Sequence, residues 1–353
     1  MYAYCGDWIP GRNFPDMREH VRRVHEMGMK YMVWFSVPFV GERSRNFERF
    51  QGKYFPRENT CSDGWVLDPR FPEVREFVVR TYEQAVREWD IDGLKLDFIG
   101  RFTLKGEDPA VREKYAGRDI KSIPLAVDAM LTEVMKRLRV LKPEILIEFR
   151  QPYIAPSIRR FGNMIRATDC PLSMVENRTR IARLRLTSGH AAVHSDMLEW
   201  RPDETAESAA RFVLNSLFGV VQYSVRLKTL SENHRQMVAH WISFSQVHRA
   251  ALVCGEFRPR HPASDYPLLE GECPSERIIG IYEEDLAVKT GNPDKPVYVL
   301  NGAYSKRILI DTAAAAVVTA YDTYGKTVQT VDVGAGVTSV TCPLSGYLKV
   351  CWK

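Results

Sequence analysis

From Met29 to about Leu227 the chain alternates short apolar runs with longer amphipathic stretches. Six runs have the length and the β-branched or aromatic content of strands: 30–35, 93–98, 145–149, 164–167, 191–194 and 219–223. Two stretches between them repeat apolar side chains at helical spacing. In 73–89 the stripe is Phe77, Val78, Tyr82, Ala85, Val86 and Trp89; in 125–141 it is Val127, Met130, Leu131, Val134, Met135 and Leu138. Strand, helix, strand in repetition predicts parallel β/α units. With helix openings at Phe14-Pro-Asp and Phe71-Pro-Glu, the pattern predicts a (β/α)8-type TIM barrel. A closing helix is expected over roughly 231–253.

From Glu256 the period shortens to two, in segments 277–282, 297–300, 306–310, 317–321, 328–331 and 347–352. Asp-Thr-Tyr-Gly and Leu-Ser-Gly punctuate them, which predicts a small antiparallel β-sandwich. The boundary is expected near residue 255, dividing a barrel at 1–255 from a β domain at 256–353. The length of 353 residues suits a barrel of about 250 plus a module of roughly 100.

Composition excludes some classes. With 45% hydrophobic residues and only 22 Gly and 20 Pro, the chain is neither disordered nor collagen-like. Its net charge of +5 is spread along the sequence, and the dense run at 178–185 interleaves Ile181, Ala182 and Leu184 as one helix face would. No nucleic-acid partner is expected. No apolar run approaches the roughly 20 residues of a membrane span, and the opening residues do not resemble a signal peptide, so no membrane association and a cytoplasmic location are expected. The seven cysteines contain no C-x-x-C pair, which fits a reducing compartment.

Parallel barrels carry their chemistry at the carboxyl ends of their strands. Gly93-Leu-Lys-Leu-Asp-Phe places Lys95 and Asp97 on one side of a strand at its end, and a lysine favours the charged, nucleophilic form of a carboxylate. The run ending Arg166-Ala-Thr-Asp169-Cys-Pro offers a second strand-end aspartate; Asp169 alone could equally cap a helix. Two such carboxylates suit glycoside hydrolysis, one as nucleophile or base and one as proton donor. Glu148, Arg150 and Gln151 end the third run. His190, His194 and Asp196 share a face of the fifth, as substrate hydrogen-bonding groups, structural residues or metal ligands, although His190 and Asp196 lie too far apart on an extended strand to hold one ion. Trp34 and Trp8 could present flat faces to a sugar ring or pack in the core.

The motifs in order resemble the melibiase-type α-galactosidases of glycoside hydrolase family 36 and its clan. Gly6-Asp-Trp, Phe14-Pro-Asp-Met and His25-Glu-Met-Gly-Met-Lys-Tyr-Met-Val-Trp match their G-D-W, F-P-x-G and G-x-x-x-G-x-W segments. Val66-Leu-Asp-Pro-Arg-Phe-Pro-Glu resembles their helix entry, and Asp92-Gly-Leu-Lys-Leu-Asp their D-x-x-K-x-D nucleophile motif. The resemblance implies a retaining α-glycosidase acting on an α-linked oligosaccharide without metal or organic cofactor. In it Asp97 is the nucleophile and Asp169 the acid/base, while Lys95, Trp34, Arg166 and Asp196 match residues at the sugar; Arg150 and His194, from their strand ends, and Asp7 and Trp8, from the Gly-Asp-Trp segment, are added as expected substrate contacts.

Departures from the family bear on specificity. A glutamate of the W-F-E-P-E segment is replaced in Trp34-Phe-Ser-Val-Pro, and Phe149-Arg-Gln-Pro-Tyr-Ile stands where the family has a glycine-rich turn. The family's N-terminal β-sandwich, first two barrel strands and D-D-G-W segment have no counterpart. The chain is therefore expected to be an N-terminally truncated version, or one whose open barrel another copy closes. Two other functions stay open: a carbohydrate-binding remnant without turnover, and a metal-assisted hydrolase using His190, His194 and Asp196. So do α-glucosidase and α-N-acetylgalactosaminidase specificities on the same scaffold.

Overall fold

A computed structural model describes residues 2–57, 64–150, 155–291 and 293–353. Gln151 and Cys61 lie outside them. The chain divides into two compact units, 1–165 and 166–353.

The first unit runs α1 (Met17–Glu26), β1 (Met32–Ser36), β2 (Phe39–Gly41), β3 (Gly64–Val66), α2 (Pro72–Trp89), β4 (Gly93–Asp97), α3 (Pro109–Arg112), α4 (Ile123–Leu141), β5 (Leu146–Arg150) and α5 (Pro156–Arg159), ending within β6 (Met164–Arg166). Local chemistry sets the helix starts. Asp16 and Ser122 accept hydrogen bonds from the amides of Glu19 and Leu125 as N-caps, and Pro72 opens α2 without losing an intrahelical bond. β1 pairs in parallel with β4 from Met32↔Gly93 to Ser36↔Asp97, and β4 with β5 from Gly93↔Leu146 to Lys95↔Glu148. Gly93 permits this approach, since a Cβ there would lie 2.5 Å from the Leu146 carbonyl oxygen.

Side chains alternate across these three strands. Phe35, Leu94, Leu96, Ile147 and Phe149 share a buried core with Val78 and Tyr82 of α2 and Met130, Leu131, Val134 and Leu138 of α4. The other face therefore carries Trp34, Ser36, Lys95, Asp97, Glu148 and Arg150. Asp92, the first residue of the D-x-x-K-x-D motif, sits at the opposite, amino end of β4. It accepts hydrogen bonds from the Tyr31 amide at 2.8 Å and from Lys142 at 3.2 Å, and its other contact is His25 Nε2 at 2.7 Å. It ties α1, the entry to β1 and the end of α4 together.

The second unit contains α6 (Met174–Thr187), β7 (Ala192–Leu198), α7 (Ala206–Ser216), β8 (Val220–Tyr223), α8 (Glu232–Val247) and a π-helical turn, Ala250–Cys254. The expected single helix over 231–253 thus changes winding after Val247. β7 and β8 are parallel, with a register shift between His194 and Met197. Ten strands follow: β9 (Glu256–Arg260), β10 (Leu268–Cys273), β11 (Glu276–Ile281), β12 (Ala287–Lys289), β13 (Val297–Asn301), β14 (Arg307–Thr312), β15 (Ala316–Tyr321), β16 (Thr327–Val333), β17 (Gly336–Thr341) and β18 (Tyr347–Trp352). They form a seven-stranded sheet, β16-β15-β18-β13-β11-β10-β9, and a three-stranded one, β12-β14-β17.

This module is not purely antiparallel. β11 pairs with β13 and β12 with β14 in parallel, because the chain leaves β11 for the smaller sheet at β12 and returns beside β11. The seven-stranded sheet is apolar on both faces. Ile278, Leu300 and Tyr347 share a core with Leu214, Phe218, Trp241 and Phe244 of the helical layer. Their chain neighbours Ile279, Val299 and Leu348 pack with Ile310 and Val340 of the smaller sheet. Gly271 admits the helical layer: a Cβ there would meet the Ala251 carbonyl oxygen at 2.4 Å. The change of texture at residue 255 therefore falls inside one compact unit.

Among the described residues all six anticipated parallel strands are present, in the order β1-β4-β5-β6-β7-β8, where a closed barrel has eight. Among the described residues no helix is long and apolar enough to cross a membrane.

Burial raises the Asp92 pKa, but the Tyr31 amide, His25 and Lys142 outweigh it and hold the carboxyl below its ordinary 3.8. A depressed folded pKa stabilises the fold above the ordinary value and ceases to do so as pH falls through the folded one. Urea denaturation of Asp92→Asn should show a loss of stability at pH 7 that shrinks below about pH 4.

Candidate active site

The polar face of the first unit is organised by register. Trp34 pairs with Lys95, and Lys95 with Glu148, so these three stand in one row across β1, β4 and β5. Lys95 Nζ lies 3.5 Å from Glu148 Oε1, the glutamate side chain being nearly buried. One step towards the carboxyl ends come Ser36, Asp97 and Arg150.

Asp97 ends β4 and is 5% exposed. Its Oδ2 accepts a hydrogen bond from Trp34 Nε1 at 3.1 Å and lies 3.5 Å from Arg150 Nη1. Its Oδ1 accepts from the Phe98 amide at 2.8 Å. Phe98 adopts a left-handed conformation with φ of 65°, uncommon for a bulky residue, and this turn brings its N–H onto the carboxylate. The Trp34 ring stays 37% exposed, edge-on to Phe98 and Trp8 at 6.2 and 6.0 Å. Sequence spacing thus brings together Asp97, Lys95, Trp34 and Arg150. Glu148 belongs to the same cluster; its signal was the period-two placement opposite Lys95.

Asp7 and Trp8 serve a neighbouring place. Asp7 Oδ1 accepts from Ser44 Oγ at 2.7 Å and from the Arg45 amide at 2.8 Å, fixing the segment after β2. Trp8 packs on Phe35 at 5.0 Å. Both border a cavity of about 370 Å³ against Thr81, Gln84 and Glu88 of α2, whose lining does not include Asp97.

In the second unit a buried guanidinium organises the residues. Arg166, the last of β6, is 2% exposed and contacts Asp196 through Nη1 and Asp169 through Nη2, the latter at 2.8 Å. Asp196 is wholly buried; its second oxygen accepts from the Cys170 amide. Asn177 clamps its backbone, accepting from the Asp196 N–H at 3.0 Å and donating to its carbonyl at 3.3 Å. Asp196, expected at the substrate, has one carboxylate oxygen on Arg166 and the other on the Cys170 amide. Asp169 lies three residues past β6, its side chain half-exposed, and Arg180 donates to its carbonyl at 3.0 Å. His194 Nδ1 lies 3.1 Å from Gln222 Nε2, whereas His190 stands near the amino end of β7. Among the described residues no three His, Cys, Asp or Glu side chains converge as a metal-holding group. Asp196 instead spends both oxygens on Arg166 and Cys170.

Residues 10–172 match a family model described as Glycosyl hydrolase-like 10. No curated protein sequence matches the chain. Among solved structures, a variant GH36 α-galactosidase AgaA from Geobacillus stearothermophilus in complex with stachyose aligns with a TM-score of 0.65 at 14% identity, over 99% of this chain and 49% of its own. The α-galactosidase from Lactobacillus brevis aligns at 0.64 and 15%, over 99% and 48%. The fold is related to that of the GH36 α-galactosidases. The chain spans about half the length of those structures. A noncanonic maltogenic α-amylase AmyB from Thermotoga neapolitana aligns at 0.61 and 13%, over 96% of this chain and 81% of its own.

Removing one partner of a buried ion pair leaves a charge uncompensated. Asp196→Ala should lower unfolding free energy by about 3–5 kcal/mol in a denaturant titration, and Asp196→Asn, which keeps an acceptor for the Cys170 amide, by less.

Proposed function

We propose that the chain is a retaining α-glycoside hydrolase of α-galactosidase type. The observation that carries the reading is Asp97, a nearly buried carboxylate at a strand's carboxyl end, held on both oxygens beside an exposed tryptophan face. Fixing a nucleophile in this way lowers the entropic cost of reaching the attack geometry.

In the proposed reaction an Asp97 oxygen attacks the anomeric carbon while Asp169 gives a proton to the departing glycosidic oxygen. The carbon–oxygen bond to the aglycone breaks as the glycosyl ester forms. Asp169, now a carboxylate, takes a proton from water, whose oxygen displaces Asp97 and restores the enzyme. Lys95 and Arg150 serve as donors to sugar hydroxyls, and the Trp34 face covers the ring's C–H surface. Arg166 orients Asp169, with Asp196 behind it, and His194 lends a further polar group. Asp7 and Trp8 shape the approach to Trp34. AgaA is named in complex with stachyose, and an α-galactoside oligosaccharide of that kind is the substrate proposed for this chain.

Purified protein should hydrolyse p-nitrophenyl α-galactoside, and Asp97→Asn should abolish that turnover. Activity surviving in Asp97→Asn would remove the nucleophile from this reading. Asp169→Ala should slow a p-nitrophenyl substrate by about 10²–10⁴-fold, less for a dinitrophenyl one that departs without protonation. Added azide should restore Asp169→Ala with retained configuration; a variant insensitive to azide and leaving group would take the acid/base role from Asp169. Sugar binding by calorimetry with no hydrolysis across a panel of α-glycosides would point to a carbohydrate-binding protein.

A further inference from the structure

At the amino ends of β7 and β8, away from the strand-end residues, lies a cavity of about 540 Å³. Its lining comes from the end of α6, the residues leading into β7, Phe218, the π-helical turn after α8, and Phe257 of β9. Among the described residues three of the lining side chains are basic, Arg185, His190 and Arg249, and none is acidic. Glu256, the nearest carboxylate in sequence, is engaged by Arg258.

Among the described residues most of the chain's deeply set arginines are paired with carboxylates; Arg185 is not, and it shares this with Arg178, which donates to the Asp265 carbonyl and to Asn215 Oδ1 but does not line this cavity. Arg70 is paired with Asp68 and Asp108, Arg118 with Asp68 and Glu113, and Arg166 with Asp169 and Asp196. Arg185 instead donates to four backbone carbonyls: Phe218 and Leu252 from Nη1, Val253 and Gly255 from Nη2. Its guanidinium also stacks 4.1 Å from the Phe257 ring centroid. The carbonyls take the hydrogens of its terminal nitrogens but carry no formal charge, so among the described residues it has no carboxylate counter-ion, and burial pulls its pKa down to about 10. A partly desolvated cation without a carboxylate creates a field that favours an anion beside it.

We infer that this cavity is a binding site for a small oxyanion, a phosphate or carboxylate group, held by hydrogen bonds from Arg249 and His190 in the field of Arg185. The division of labour follows from the contacts. Arg185 has spent its terminal N–H groups on the chain and supplies charge, while Arg249 and His190 supply donors. Guanidinium and imidazole N–H groups match the lone pairs of an oxyanion and make charge-assisted bonds to it. The volume falls within the range of small-molecule sites, so the anionic group could be carried on a larger ligand.

Inorganic phosphate and acetate, each titrated against sodium chloride at equal ionic strength, test this by calorimetry and thermal melting. Phosphate, acetate or both should bind saturably and raise the melting temperature beyond the chloride control, and the one that binds identifies the group the site takes. The double variant Arg249→Ala/His190→Ala, altered at two exposed side chains, should weaken that binding at least tenfold. Asp97→Asn should leave it unchanged, which separates this site from the proposed hydrolase centre. No binding of either anion above chloride, or equal binding by the double variant, would overturn the inference.

Discussion

The in-register parallel pairing of β1, β4 and β5 is the constraint on which the first unit rests. Side chains alternate along each strand, so one register decision sends Phe35, Leu94, Leu96, Ile147 and Phe149 to the helices and gathers Trp34, Lys95, Asp97, Glu148 and Arg150 on the other face. A slip of one residue would exchange the two sets. Gly93 and Asp92 protect that register from the amino end, one by allowing close strand approach and the other by fastening three elements to the start of β4.

Charge is managed differently in the two units. Around Asp97 each group has polar company at ordinary distances and Trp34 keeps a face open to solvent. Around Arg166 the guanidinium and Asp196 are both withdrawn from water, and only Asp169 reaches out. Such a buried pair stabilises little in net terms, because desolvation offsets much of the attraction. What it supplies is orientation: a half-exposed carboxylate held by a cation that cannot itself move far.

The parallel part of the fold was legible because its signals are local and periodic. All six strand runs and the two long amphipathic helices could be read from apolar spacing, and Asp97, Lys95, Trp34 and Arg150 from the alternation at strand ends. What escaped depended on partners distant in sequence. β9 carries Pro259, β10 is interrupted by Gly271, and β12 spans three residues, so none shows a clean period of two. The parallel crossing from β11 to β13 leaves no local mark either. Asp196 reads as a strand-end polar residue because it follows the apolar run 191–194, whereas it lies inside β7. Its burial comes from Arg166 and Cys170, thirty and twenty-six residues earlier.

The double-sided seven-stranded sheet has a consequence for how this chain can be divided. Cutting at residue 255, where the texture of the sequence changes, would strip α7 and α8 of Leu269, Ile278, Leu300 and Tyr347 and leave Trp241 and Phe218 facing water. On the other side it would release a β module with a bare apolar face. Both products would be sticky fragments, prone to associate through the surfaces they had shared. Domain dissection, fusion and partial expression of this chain must therefore respect the helix-to-sheet core and keep everything from α7 to β18 in one piece.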